Sequence, residues 1–226
     1  MRSIGIILFF AGWVAAEAQS LQLHFQPVFS NEKIVLEKPL TTADGSSLTV
    51  SMLKCYLGNF EFWKNGALIF VEKSYHLLNL EDESSLRLVF DFPQQTGFDS
   101  LSFNLGVDSL TTASGAMGGD LDPTQGMFWT WQSGYINFKL EGHSSKCPAR
   151  NGNFEFHLGG YLPPFQTARR IHIGPLPESA EATIYIDLAP FFQKIDWKNK
   201  ASIQSPGAEA VRLTAALAAS FTSDEK

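Results

Sequence analysis

The chain has 226 residues, enough for one large β domain or two small ones with a substantial core. Hydrophobic residues make up 44% and charged residues only 18%, with 19 phenylalanines, a composition that excludes a disordered chain. The formal net charge of −6 leaves no Lys/Arg surplus to neutralise phosphates, which excludes nucleic acid as a partner.

At the N-terminus, Arg2, the apolar run from Ile4 to Val14 and the Ala16-Glu17-Ala18 triplet read as a signal peptide over residues 1–18. The apolar run is too short for a stable bilayer anchor. The expected mature chain therefore begins near Gln19, after cleavage near Ala18, and is periplasmic or secreted with no membrane span. Residues 19–226 are expected to form one domain, because no linker, repeat or low-complexity tract interrupts them.

Period-2 segments dominate the chain beyond Gln19. Leu21 to Phe25, Leu48 to Leu53 and Leu57 to Trp63 alternate, and Asn65-Gly66 supplies a hairpin turn into Ala67 to Val71. Further strands are expected over Leu86–Phe90 and Leu101–Leu105, separated by a turn over Pro93 to Gly97. Tyr135–Leu140, Phe154–Leu158, Arg170–Ile173 and Ala182–Leu188 complete the set. About ten short strands with turn punctuation predict an all-β fold, an antiparallel β-sandwich with long loops. The Ala- and Leu-rich stretch from Gly207 to Phe221 predicts a short C-terminal helix.

The long segment from Gly106 to Gly126 is rich in Gly, Asp, Ser and Thr, and loops of that length usually carry function. Directly after it, Gly126 to Tyr135 holds Trp129 and Trp131, which point the same way if the chain is extended. Their indoles suit either a packed core or an aromatic surface against a metal or ligand. Of five histidines none lies in a recognised zinc motif. His157 is the most suggestive: Phe154 and Phe156 take one face of its strand, Glu155 and His157 the other, and Gly159-Gly160 permits a close approach just beyond. Asp108, Asp120 and Asp122 offer oxygen ligands to calcium, or equally turn and cap functions. Cys55 and Cys147, an even pair in an oxidising compartment, read as a disulfide, with a thiolate metal pair as the rival. No nucleophile motif is present, so no enzymatic activity is expected.

The chain resembles the MbnP-like family of exported copper-binding proteins. The resemblance runs through Lys54–Asn59, Tyr75–Asn79, Phe103–Ser109, Gly115–Pro123, Gly126–Tyr135, Lys139–Gly142, Phe156–Gly160 and Ile184–Asp187. Its most specific parts are Met-Phe-Trp-x-Trp-x-x-Gly-Tyr and His-x-Gly-Gly taken together. The resemblance implies a β-sandwich that binds one copper ion, as Cu(I) or Cu(II), through histidines. His157 is then the first ligand candidate, and His76, ahead of His24, the second. It also implies a tryptophan, Trp129 or Trp131, oxidised to kynurenine by a dihaem peroxidase-like partner. Two readings from other classes remain: a surface module that binds glycans or peptides through its aromatic residues, and a hydrolase built on Glu155 and His157.

Overall fold

The computed structural model describes residues 19–92, 97–131, 134–177 and 179–223. The expected signal peptide, the Pro93–Thr96 part of the expected turn, and Gln132 and Ser133 beside the tryptophans lie outside the described residues. The first strands in chain order are β1 (Gln19–Phe29), β2 (Glu32–Lys33), β3 (Pro39–Thr41), β4 (Ser47–Lys64), β5 (Ala67–Asn79), β6 (Arg87–Phe92) and β7 (Ser100–Leu105). They are followed by β8 (Phe128–Trp129), β9 (Gly134–Ser144), β10 (Asn153–Gly159), β11 (Arg169–Ile173), β12 (Glu181–Asp187), β13 (Ser202–Ile203) and β14 (Phe221–Ser223). The helices are α1 (Ser109–Ala113), α2 (Ala189–Gln193) and α3 (Ala208–Ala218), the last being the expected C-terminal helix.

Among the described residues the strands form a five-stranded sheet, β14-β12-β1-β2 with β6 also on β1, and a nine-stranded sheet running β11-β7-β4-β9-β10-β13. The fold is the predicted all-β sandwich. Most pairings are antiparallel, but β1 pairs with β12, and β10 with β13, in parallel. The Asn65-Gly66 turn forms as expected: both residues have positive φ, which matches the right-handed twist of the strands it joins. The two separate segments expected over 48–53 and 57–63 are one strand, β4, which stays continuous by bulging near Val50 and between Gly58 and Glu61.

Period-2 alternation sends the phenylalanines inward from both sheets. Phe60 of β4 meets Phe90 of β6 at 4.9 Å between ring centroids, and Phe25 of β1 meets Phe103 of β7 edge-on at 5.8 Å. Each such buried ring contributes roughly 1.5–3 kcal/mol, so the low charge and high Phe content translate directly into an aromatic inter-sheet core. A second, smaller cluster lies on the opposite face of the nine-stranded sheet. There the Gly106–Gly126 segment folds down and buries Tyr56, Leu77, Leu121, Met127, Trp129 and Tyr135. Hydroxyls pin the segment: Tyr56 donates to Asp120 O and Tyr135 to Leu121 O, each at 3.0 Å. No helix among the described residues is long and apolar enough to cross a membrane.

Candidate metal centre

Strand β10 sets the geometry. Phe154, Phe156 and Leu158 enter the main core, which leaves Glu155, His157 and Gly159 on the outer face. On neighbouring β9, Lys139 lies opposite His157 and Glu141 opposite Glu155. His157 Nε2 sits 2.8 Å from Glu141 Oε1, and Lys139 Nζ lies 3.6 Å from the same oxygen. The ammonium also donates to Gly126 O at 3.4 Å, which ties the covering segment to this face. Glu155 does not join His157 as a dyad; its carboxylate takes a hydrogen bond from the Gln204 amide instead.

Gly159 explains how the indole reaches this face. A Cβ there would lie 2.6 Å from Tyr135 O and 2.7 Å from Trp129 Cζ3, so the ring rests on bare backbone. Trp129 thus lies two residues beyond His157 on the same face, roughly 7 Å along the strand. The expected strand through both tryptophans ends at Trp129, and Trp131 falls in a turn. As a result Trp129 is 7% exposed and Trp131 65% exposed. The rings still touch, with centroids 5.8 Å apart and planes at 43°. Beside Trp129 opens a cavity of about 350 Å³ walled by Tyr161, Leu162, Pro164, Phe165 and Pro206.

The other histidines are elsewhere. His76 points to the inner side of the nine-stranded sheet at its edge, where its ring meets Phe60 and Phe90 and its Nε2 lies 3.3 Å from Glu72. His24 is on the outer face of the five-stranded sheet, paired across strands with Arg87. Burial, then the Arg87 and Lys33 charges, hold its pKa below the usual histidine value. The three histidines therefore occupy three separate surfaces. Among the described residues no three His, Cys, Asp or Glu side chains converge as a metal-holding group.

The aspartates of the covering segment serve its fold. Asp108 caps α1 through Thr111 N at 2.8 Å and takes a short hydrogen bond from the Tyr75 hydroxyl. Asp122 accepts from Thr124 N, and Asp120 from Leu77 N, each at 2.8 Å. These bonds engage both oxygens of Asp108 and one each of Asp120 and Asp122, and the three carboxylates do not converge as a metal-holding group.

The expected disulfide is not formed: Cys55 and Cys147 are both free and buried. Register gives the reason. Leu48 pairs with Ser144, whose carbonyl accepts from Cys147 N as the chain turns, while Cys55 lies seven residues further along β4. At about 3.3 Å per residue that is about 23 Å, against the roughly 7 Å that a bridge tolerates between Cα atoms. Burial pushes the Cys55 thiol up to about 12, and Cys147 Sγ donates to Asn153 O at 3.0 Å.

A copper ion at this centre would find one imidazole and one carboxylate already side by side. The imidazole is a donor type that copper accepts and the carboxylate a harder one, with the Lys139 ammonium beside it, and the three histidines do not form one centre. Glu141 and Gly159 are both within reach of sequence reasoning, since each alternates with a core residue. Only the β9–β10 register reveals that Glu141, rather than Glu155, meets His157.

The MbnP family model matches residues 18–205. Among solved structures, MbnP from Methylosinus trichosporium has a similar fold, with a TM-score of 0.62 and 14% identity, over 85% of this chain and 82% of that one. No curated protein matches significantly in sequence.

Proposed function

The chain belongs to the MbnP family, and from that premise we propose that it is an exported copper-binding protein that acquires, stores or delivers the metal without catalysing a reaction of its own. The observation that carries this reading is the His157–Glu141 pair, 2.8 Å apart on the face where Trp129 lies. His157 and Glu141 would hold the ion, which when bound supplies a redox-active centre. Trp129 shields one side of the site and the covering segment, anchored through Lys139, limits access of water. Trp131, exposed and in ring contact with Trp129, is where an oxidising dihaem partner would reach the pair, with Trp129 or Trp131 becoming kynurenine.

The test is metal analysis with native and peptide mass spectrometry on protein purified from its own host, alongside Cu(I) loading of recombinant chain. About one copper per chain is expected, falling sharply in His157→Ala and Glu141→Gln, with a kynurenine mass shift on one of the two tryptophans in host material. Stoichiometric copper retained by both variants would overturn the site.

A second reading has its own support in the exposed Trp131 and the aromatic cavity beside Trp129, a surface on which a glycan or peptide could stack. It predicts ligand-dependent Trp fluorescence changes in metal-free protein, which the copper reading does not.

A further inference from the structure

The outer face of the five-stranded sheet carries a separate cavity of about 530 Å³, within the range of small-ligand sites. Strands β6, β1 and β12 lie side by side there, and their outward residues fall in two rows. Arg87, His24 and Thr183 form one; Val89, Gln22 and Glu181 form the next. Arg87 and Glu181 both line the cavity with opposite charges, yet neither takes part in an ion pair among the described residues. Glu83 feels the Arg87 charge, but its carboxylate is already held by Lys33 at 2.8 Å.

Two strand spacings and one pleat place the Arg87 and Glu181 Cα atoms about 12 Å apart, too far for them to pair with each other without extending along the surface. Between them stand neutral hydrogen-bonding groups: the Gln22 amide, the Thr183 hydroxyl and the His24 imidazole. The arrangement repels a lone cation at Arg87 and a lone anion at Glu181, and it complements a ligand carrying one charge of each sign. In a dipeptide the terminal charges stand about 7 Å apart. A contact of about 2.9 Å at each end brings the span to about 13 Å, close to the Cα separation, so side chains that rise side by side from the sheet meet both ends.

We propose that this face binds a short zwitterionic peptide, with its C-terminal carboxylate on Arg87 and its N-terminal ammonium on Glu181. The guanidinium offers a planar two-donor fork to the carboxylate, and the central amide meets Gln22, His24 and Thr183. The site shares no residue with the His157 face and stands independently of the copper reading.

The experiment is isothermal titration and amide NMR on the mature chain with dialanine, N-acetyl-dialanine and dialanine amide as probes. Saturable binding of dialanine is expected, with shifts confined to the amides of β1, β6 and β12. Blocking either end, or introducing Arg87→Gln or Glu181→Gln, should weaken it about tenfold or more, since each removes one charged contact. Melting temperatures of the variants check that they fold. Equal affinity for the blocked peptides, or no saturable binding by folded wild-type protein at millimolar probe, overturns the proposal.

Discussion

Replacing Gly159 by alanine tests the packing that brings an indole beside His157. The added methyl would stand 2.6 Å from Tyr135 O and 2.7 Å from Trp129 Cζ3, against ordinary carbon contacts of about 3.5–4.0 Å. The Tyr135 carbonyl is fixed between β8 and β9, and Gly159 is itself paired with Ile136, so the backbone has little room to yield. The indole must therefore slide outward by roughly 1 Å, with an overpacking cost of about 1–3 kcal/mol. For a domain of this size that corresponds to a fall in Tm of about 2–12 °C. Calorimetric melting would read the stability, and near-UV circular dichroism with Trp fluorescence would read the displaced ring. Gly118→Ala is the matched control, because nothing lies within 4 Å of its Cβ position and its φ is −97°; it should be neutral or slightly stabilising, by up to about 1 kcal/mol. If Gly159→Ala melts with the wild type and keeps its aromatic spectrum, Trp129 does not rest on that backbone and the site geometry is wrong.

Three further outcomes are expected from the same structure. Intact mass should correspond to two free thiols; native protein at pH 8 should resist iodoacetamide at Cys55, whose thiol is pushed up to about 12, while denaturation should expose both cysteines. A mass lower by two hydrogens under non-reducing conditions would contradict this. Asp108→Ala should cost about 0.5–2 kcal/mol through loss of the α1 cap. Burial raises the Asp108 pKa, but hydrogen bonds from Thr111, Tyr75 and Asn59 outweigh it and leave the folded value below normal. Its contribution is therefore complete above the ordinary carboxylate range and lost as pH falls through the folded value, so mutant and wild-type stabilities should converge in strong acid. Tyr135→Phe removes the bonds to Leu121 O and from Met117 N, each 3.0 Å long, and should loosen the covering segment, read as faster amide exchange between Val107 and Met127; unchanged exchange would mean that the hydroxyl does not hold it down.

Much of the fold is legible along the chain because alternation is a local property. The strands through Leu23, Phe60, Phe103 and Phe156 can be placed, and their buried faces assigned, without knowing which strand neighbours which. Residues Lys73–Asn79 are harder: they extend β5 past the alternating stretch at a sheet edge, where only Leu77 and Leu78 are buried and the hydrophobic signal does not alternate. The site is only half legible. His157 and the tryptophans stand out by residue type, but Glu141 meets His157 because of inter-strand register, and no local pattern encodes that.

Read along the chain alone, residue chemistry and periodicities of a few residues specify a charge-poor, Phe-cored β-sandwich. They also specify the hairpin at Asn65-Gly66, the C-terminal helix and a family signature around Trp129 and His157. Which distant groups meet is settled only in three dimensions. Folding puts His24, His76 and His157 on three surfaces, keeps Cys55 about 23 Å along β4 from the level of Cys147, and brings Gly159 under Trp129. A strand fixes the direction of each side chain locally, whereas its partners are set by which sheet edges pair and in what register. Those pairings minimise the exposed apolar surface of the whole chain rather than of any one segment.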